Sequence, residues 1–198
     1  GSRIYVDKGN ISTKRFEINA KCSLKYNGSF TISDTLVNRT KLKLTKISAQ
    51  KIENEGTLLI DSGSKDFLID YIWNKKDAYF AFAGPGGLQF IGYDSDSISL
   101  WNEGYMYVNG NISAMGAIHA TDGELYVYGD ADVSNSVSYS VNGVKNNVYM
   151  EGSAELYVHG DIPCSTDSDG MMIAENPDAD AKKAVYSAVS YTHLRAHE

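Results

Sequence analysis

Hydrophobic and polar residues alternate one by one through most of this chain, which is the pattern of β-strands with one apolar and one polar face. The phrase GELYVYGDADVS begins at Gly123 and returns as AELYVHGDIP from Ala154. Looser copies start at residues 4, 24 and 106. The copies follow one another at multiples of about 20 residues, apart from an insertion before the last one. A catalytic group is normally needed once, so this repetition indicates architecture.

Shorter alternating segments fill the interval between the second and third copies. They are LKLTKIS at 42–48, TLLIDSGS at 57–64, FLIDYIW at 67–73, AYFAF at 78–82 and SISLW at 97–101. One unit of this size cannot bury its apolar face, whereas stacked units bury a continuous core. We therefore predict an all-β chain whose residues 1–164 form a β-solenoid, similar to a parallel β-helix, with coils of about 20 residues. A β-sandwich, whose short strands also recur regularly, is the alternative.

The alternation also predicts which side chains face the core. With Leu125 and Val127 inward, Tyr126 and Tyr128 point outward. The same phase places these residues inside: Ile4, Val6, Met106, Val108, Leu156 and Val158. The outward residues form one predicted column of Tyr5, Tyr107, Tyr126 and Tyr157, with His159 in the next column. A glycine follows most copies of the phrase and is expected to turn the chain, because glycine adopts positive φ at little cost.

The C-terminal part of the chain departs from this pattern. Residues 165–188 lack alternation, and we interpret them as a cap or linker. Within them, DADAKKAVYSA is predicted to begin a helix at Asp178, because its acidic residues precede its lysines. The final residues 189–198, VSYTHLRAHE, resemble the in-frame translation of a sequencing adaptor. We interpret them as an artefactual tail, which removes His193 and His197 from consideration as a metal pair.

Composition excludes several classes of function. The net charge is −7 and no stripe of Lys and Arg is present to neutralise phosphates, so we expect no nucleic-acid partner. The basic cluster Thr40–Lys46 alternates with leucine and is interpreted as the wet side of a strand. No apolar run approaches the roughly 20 residues of a membrane span, so we expect no membrane insertion. Cys22 and Cys164 stand alone, without the spacing of a metal site.

Motifs that carry chemistry are few and incomplete. DSDG at Asp167 resembles the start of a calcium loop, but its sixth position is Met172 and not the required glycine. Paired aspartates occur in YDSDS at 93–97 and GDAD at 129–132, and two carboxyl groups are what glycosidases require. No nucleophile–histidine signature or phosphate loop is present. We therefore expect no catalytic residue, metal or cofactor, and we expect that the protein is not an enzyme. The alternative is a fragment of a β-helical polysaccharide lyase or hydrolase.

The outward aromatic residues are the best candidates for a binding site. Exposed aromatic rings stack on sugar rings and offer large contact areas at a small entropic cost. The alternative is that the tyrosines pair only with one another along the sheet. The candidate ligand-binding residues are Tyr107, Tyr126, Tyr128, Tyr157 and His159.

Coils rich in glycine, asparagine and serine, an acidic charge and a scarcity of cysteine make residues 4–162 similar to bacterial extracellular β-helical repeat proteins. This resemblance implies a non-catalytic repeat region of a bacterial cell-surface or secreted protein that serves as a stalk, an adhesin or a glycan-contacting module. It also implies an extracellular or cell-surface location, with glycans or other host and cell-surface molecules as partners. A segment of a viral or phage fibre, built from the same kind of stacked coils, is a third possibility. The adaptor-like tail is typical of a metagenomic fragment.

Overall fold

The computed structural model describes residues 3–6, 9–26, 29–45, 47–63, 65–84, 86–120, 122–142, 145–146, 148–150, 156–158, 164–166, 174–176 and 182–185. These residues form strands and turns, and none of them is in a helix. The prediction of an all-β chain is therefore confirmed.

The strands are numbered in chain order. The first eight are β1 (Arg3–Val6), β2 (Asn10–Ile18), β3 (Ser23–Tyr26), β4 (Ser29–Asn38), β5 (Lys41–Thr45), β6 (Ile47–Asn54), β7 (Thr57–Asp61) and β8 (Phe67–Ile69). The next eight are β9 (Tyr71–Asn74), β10 (Tyr79–Ala83), β11 (Leu88–Phe90), β12 (Ile98–Asn102), β13 (Tyr105–Asn109), β14 (Ile112–Ala114), β15 (Ala117–Ala120) and β16 (Glu124–Val127). The last eight are β17 (Ala131–Val133), β18 (Val137–Asn142), β19 (Lys145–Asn146), β20 (Val148–Met150), β21 (Leu156–Val158), β22 (Cys164–Thr166), β23 (Ala174–Asn176) and β24 (Lys182–Val185).

Three sheets form the walls of a β-solenoid of about six turns. The six-stranded sheet has the order β20-β16-β13-β10-β7-β5, and the seven-stranded sheet has the order β23-β24-β21-β17-β14-β11-β8. The nine-stranded sheet runs β19-β18-β15-β12-β9-β6-β4-β2, with β22 paired to β18. From β7 to β18 each coil passes through the six-, seven- and nine-stranded sheets in turn and stacks in parallel on the coil before it. The solenoid prediction is confirmed, and the β-sandwich alternative is wrong.

The alternation of the sequence gives the core directly. In β13 and β14, Met106, Val108 and Ile112 are buried, while the residues between them face outward. The same pattern in β5 buries Leu42 and Leu44 and leaves its lysines exposed, as predicted. Every coil therefore contributes a few aliphatic or aromatic side chains to one continuous core along the axis.

Glycine allows successive coils to approach closely at one corner. A Cβ atom on Gly104 would lie 2.4 Å from the carbonyl oxygen of Ala78, in the coil below. A Cβ atom on Gly123 would in turn lie 2.4 Å from the carbonyl oxygen of Gly104. Real Cβ atoms do not approach oxygen so closely. Glycine is therefore required at Gly104 and Gly123 because no side chain fits between the coils, and not because the backbone has a positive φ.

A column of buried asparagines, the asparagine ladder, runs up the same corner. Its members are Asn38, Asn54, Asn74 and Asn102, the last residues of β4, β6, β9 and β12, and each is at most 1% exposed. The side-chain amide of each of the first three donates to the Oδ1 atom of the next at 2.8 Å. Each amide also donates to the backbone carbonyl of the first residue of a strand in the six-stranded sheet. The Asn74 amide, for example, donates to the Tyr105 carbonyl oxygen at 3.1 Å. The ladder thus satisfies polar groups that the corner would otherwise bury without partners.

Coil length varies although the stacking is regular. Successive ladder asparagines are separated by 16, 20 and 28 residues. The longest interval contains an excursion at residues 91–97, between β11 and β12. Asp94 holds this loop, since its carboxylate accepts from the N–H groups of Asp96 and Ile98, both at 2.9 Å.

Three local predictions are wrong. Ile4 is 46% exposed instead of buried, because β1 pairs with β3 in a separate two-stranded sheet. Leu156 does not stack on Leu125; β21 lies in the seven-stranded sheet, where Leu156 pairs with Ala131. Lys182–Val185, predicted to be helical, form strand β24, which pairs antiparallel with β21.

Candidate functional site

The outer face of the six-stranded sheet carries a cluster of tyrosines. Its members, called the tyrosine cluster below, are Tyr79, Tyr105, Tyr107, Tyr126 and Tyr128. They come from β10, β13 and β16 and the residue after β16. Parallel pairing in register places Tyr79 beside Tyr105 and Tyr107 beside Tyr126. Because inward neighbours such as Val108 and Val127 are fully buried, these rings have to lie on the outside.

The described ring contacts link the members of the cluster in a group of three and a pair. Tyr79 and Tyr105 are stacked, with centroids 5.2 Å apart and planes 10° apart. Tyr105 also contacts Tyr126 diagonally at 5.1 Å, and Tyr107 contacts Tyr128 at 4.8 Å. The hydroxyl of Tyr126 donates to a carboxylate oxygen of Glu124 at 2.8 Å. The rings are therefore held in place before any ligand arrives.

This arrangement suits recognition of a ligand with many hydroxyl groups. Stacked neighbours use part of each ring face, and the rim that reaches solvent carries phenolic oxygens that both donate and accept hydrogen bonds. Tyr128 is 45% exposed and ends the cluster. Rings fixed in this way lose little conformational entropy on binding, which favours even a weak contact.

The structure brings together three of the five predicted binding residues. Tyr107, Tyr126 and Tyr128 belong to the tyrosine cluster, and Tyr107 and Tyr126 are partly exposed, as the phase predicted. Tyr157 does not belong to it, because β21 lies in the seven-stranded sheet and Tyr157 pairs there with Asp132. Tyr149 occupies the predicted place instead, opposite Tyr126. His159 lies outside the described residues.

Sequence reasoning missed Tyr79 and Tyr105. Neither belongs to the repeated phrase in the predicted phase: Tyr79 falls in AYFAF and Tyr105 precedes the copy that begins at Met106. A signal was present, because Asn-Glu-Gly occurs at 54–56 and again at 102–104, directly before β7 and β13. Aligning the coils on this corner motif places Tyr105 at the start of the strand after the corner. Aligning them on the repeated phrase alone leaves Tyr105 outside the strand.

The paired aspartates of the sequence lie on two different faces. Asp94 and Asp96 belong to the excursion beside the nine-stranded sheet, where Asp94 stabilises a turn. Asp130 and Asp132 line a shallow hollow of about 400 Å³ on the seven-stranded sheet, together with Asp66. Among the described residues, no group of three or more His, Cys, Asp or Glu side chains is placed to hold a metal ion. The calcium-like segment at Asp167 lies outside the described residues.

Acidic and basic side chains from neighbouring coils meet near the corner of the asparagine ladder. Arg39 forms ion pairs with Glu17 and, at 2.7 Å, with Glu55. Lys75 pairs with Glu55 at 2.6 Å and approaches Glu53 at 3.8 Å. The hydrogen bond from Lys75, followed by that from Arg39, lowers the pKa of the Glu55 carboxyl against the opposing effect of desolvation. Hydrogen bonds to Glu55 and Glu17 raise the pKa of Arg39. These ion pairs link neighbouring coils.

Comparisons of this chain with protein-family models, with curated proteins and with solved structures found no match. Within the described part of the chain, no helix is long and apolar enough to span a membrane. The fold therefore defines the class, a β-solenoid repeat protein.

Proposed function

We propose that this solenoid is a non-catalytic, glycan-contacting module of a bacterial cell-surface or secreted protein, and that the tyrosine cluster makes the contact. The observation that supports this most is the assembly of five tyrosines, two of them outside the repeated phrase, on one face of one sheet.

Several properties of the chain support a location outside the cell. A stacked solenoid gives a stiff rod whose outer faces are long and continuous, which suits a stalk or adhesin. The charge of −7 favours solubility, and the likeness to bacterial extracellular repeat proteins points the same way. We further propose that residues 189–198 are translated adaptor sequence; recovery of the gene from overlapping reads tests this directly.

The test of glycan binding is a calorimetric titration with a panel of neutral hexose oligosaccharides. We expect at least one to bind with a Kd in the high-micromolar to millimolar range, about −4 to −6 kcal/mol. The double variant Tyr126→Ala with Tyr128→Ala should lose this binding. A matched control removes two exposed tyrosines elsewhere, Tyr5 and Tyr93, which are 61% and 52% exposed. Equal affinity in the two double variants would exclude the tyrosine cluster.

A second candidate function is polysaccharide cleavage. The observation that favours it is the convergence of Glu17, Arg39, Glu55 and Lys75 from neighbouring coils, because β-helical lyases use acidic groups with a basic partner. We prefer the non-catalytic proposal, since these groups are engaged with one another in ion pairs. Release of new reducing ends from any polysaccharide would decide for the enzyme.

A further inference from the structure

The outer face of the nine-stranded sheet carries both tryptophans of the chain. Trp101 pairs in register with Trp73 on one side and with His119 on the other. The ring centroids are 6.1 Å apart between the two tryptophans and 5.7 Å apart between Trp101 and His119. All three side chains are partly exposed. They form a continuous row along the solenoid axis, called the tryptophan row below.

Carboxylates border this row. Glu103 lies beside it and accepts a hydrogen bond from the Trp73 indole N–H at 2.8 Å. Asp94 and Asp96 belong to the excursion at residues 91–97, where the Asp94 carboxylate accepts from the N–H groups of Asp96 and Ile98. Both aspartates lie close enough to the buried Tyr71, under the row, to act electrostatically on its phenol, as do Glu53 and Glu103. An apolar floor between negative borders is therefore built from three coils and one inserted loop.

The chain's own lysine shows what this surface can hold. The ammonium of Lys75 lies 4.6 Å from the centre of the Trp73 ring, while Glu55 and Glu53 supply the carboxylates. A ring face and an anion together are the usual partners of an ammonium group. At the next ring, Trp101, the described ion pairs include none to Glu103, Asp94 or Asp96. Within the described residues, Trp101 thus has an aromatic ring and neighbouring negative charges, as Trp73 does, but no cation in an ion pair with those charges.

We propose that the tryptophan row is a second binding site, which takes a glycan bearing free ammonium groups, such as an oligomer of β-linked glucosamine. The sugar rings contact Trp101 and His119, and the ammonium groups meet Glu103, Asp94 and Asp96. A basic peptide that binds by adding a strand at a sheet edge does not fit here. Strands β9, β12 and β15 each have hydrogen-bonded neighbours on both sides and offer no edge.

The site has its own spectroscopic probe. Both tryptophans lie in the row, so tryptophan emission excited apart from tyrosine reports on this site and not on the tyrosine cluster. The probe ligand is a glucosamine tetramer, compared with its fully N-acetylated form, which has the same linkage and no charge. We expect the charged tetramer to change the emission and to bind at least about tenfold more tightly than the neutral one. Equal binding of the two, or no change in emission, would overturn the proposal.

Matched variants separate this site from the net charge of the protein. The double variant Glu103→Gln with Asp96→Asn removes the negative charge of two carboxylates that border the row. Glutamine at position 103 keeps an acceptor for the Trp73 indole N–H. The control pair Asp130→Asn with Asp132→Asn removes two charges from the seven-stranded sheet. We expect the first pair to weaken the charged tetramer about tenfold and the control less than about twofold. Equal weakening by both pairs, or tighter binding of tetralysine than of the sugar, would refute the site, whatever the outcome at the tyrosine cluster.

Discussion

Two columns of like side chains run along the axis of this solenoid, the asparagine ladder inside and the tyrosine cluster outside. In the ladder, each of the first three buried amides donates to the next asparagine and to a backbone carbonyl, so that the loss of Asn54 or Asn74 leaves polar groups without these partners in two other coils. In the cluster, the rings contact one another at about van der Waals distance while solvent reaches their rims. Repetition inside is explained by stability, whereas for repetition outside we propose contact with a glycan.

The largest difference between inside and outside is expected when a negative charge is placed at each of two adjacent residues, one facing the core and one facing solvent. Val127→Asp buries a carboxylate without a partner, since Val127 is 0% exposed. We expect a loss of about 4 kcal/mol or more in the free energy of unfolding, or no folded protein. Tyr128→Asp places the same charge one residue further on, at a side chain that is 45% exposed, and should cost little. Urea denaturation measures both, and similar losses would contradict the inward–outward assignment.

The asparagine ladder is tested by Asn74→Ala. The change leaves the amide of Asn54, the Oδ1 atom of Asn102 and the carbonyl of Tyr105 without their partner. We expect a loss of about 3 kcal/mol, because each buried polar group left unpaired costs about 1 kcal/mol or more. Asn109→Ala, at an exposed position, is the control. If both variants unfold at the same urea concentration as the wild type, the ladder is not a source of stability.

Alkaline pH distinguishes a buried tyrosine from the exposed ones. Burial first, and then the charges of Asp94 and Glu53, raises the pKa of the Tyr71 phenol. In the unfolded chain this phenol ionises near pH 10, so above about that pH the unfolded state binds fewer protons than the folded state. Stability should therefore fall as pH rises above about 10.

The variant Tyr71→Phe isolates this effect. It should unfold with a shallower dependence on pH in the alkaline range, whereas Tyr5→Phe, at a side chain that is 61% exposed, should follow the wild type. Thermal unfolding measured across that range compares the three proteins. Parallel pH profiles for all three would show that Tyr71 makes no such contribution.

The smallest effect is expected at the tyrosine cluster. Tyr126→Ser removes a ring contact with Tyr105 and a hydrogen bond to Glu124, both on the partly exposed outer face. We expect a loss of about 1 kcal/mol or less, the size of one cross-strand pair. Tyr93→Ser, in the excursion, serves as the reference for an exposed tyrosine. A loss as large as that of Asn74→Ala would make the cluster a structural element and weaken its candidacy for binding.

The order of these effects reflects what the amino-acid sequence could predict. Alternation specified the β-class and the burial of residues such as Val108 and Val127, because the side-chain period of a strand is fixed at two. The repeat of about 20 residues predicted the solenoid. Each of these predictions rests on local geometry that every coil repeats. The sequence also predicted three members of the tyrosine cluster, since they lie in repeated phrases whose register is simple.

Stacking between coils was decided by the tertiary structure. The repeated phrase suggested that Leu156 lies on Leu125, but β20 takes that place and β21 moves to the next wall. FLIDYIW looked like one strand, yet it bends between β8 and β9 and contributes to two sheets. Corners carry no period of their own, because a turn needs one or two permissive residues and their spacing changes with each coil.

The tryptophan row shows the same division. Trp73 and Trp101 are 28 positions apart in the chain and fall in segments that were predicted as strands without further distinction. The inserted loop at 91–97 lengthens one coil and leaves the next strand in register, so the two rings become neighbours. Apart from β1, where Ile4 is exposed, sequence alone predicted which of the described strand residues discussed above face out, since that depends on neighbours along the strand. Only the folded chain decided which of them meet, since contact across coils depends on the length of every turn between them.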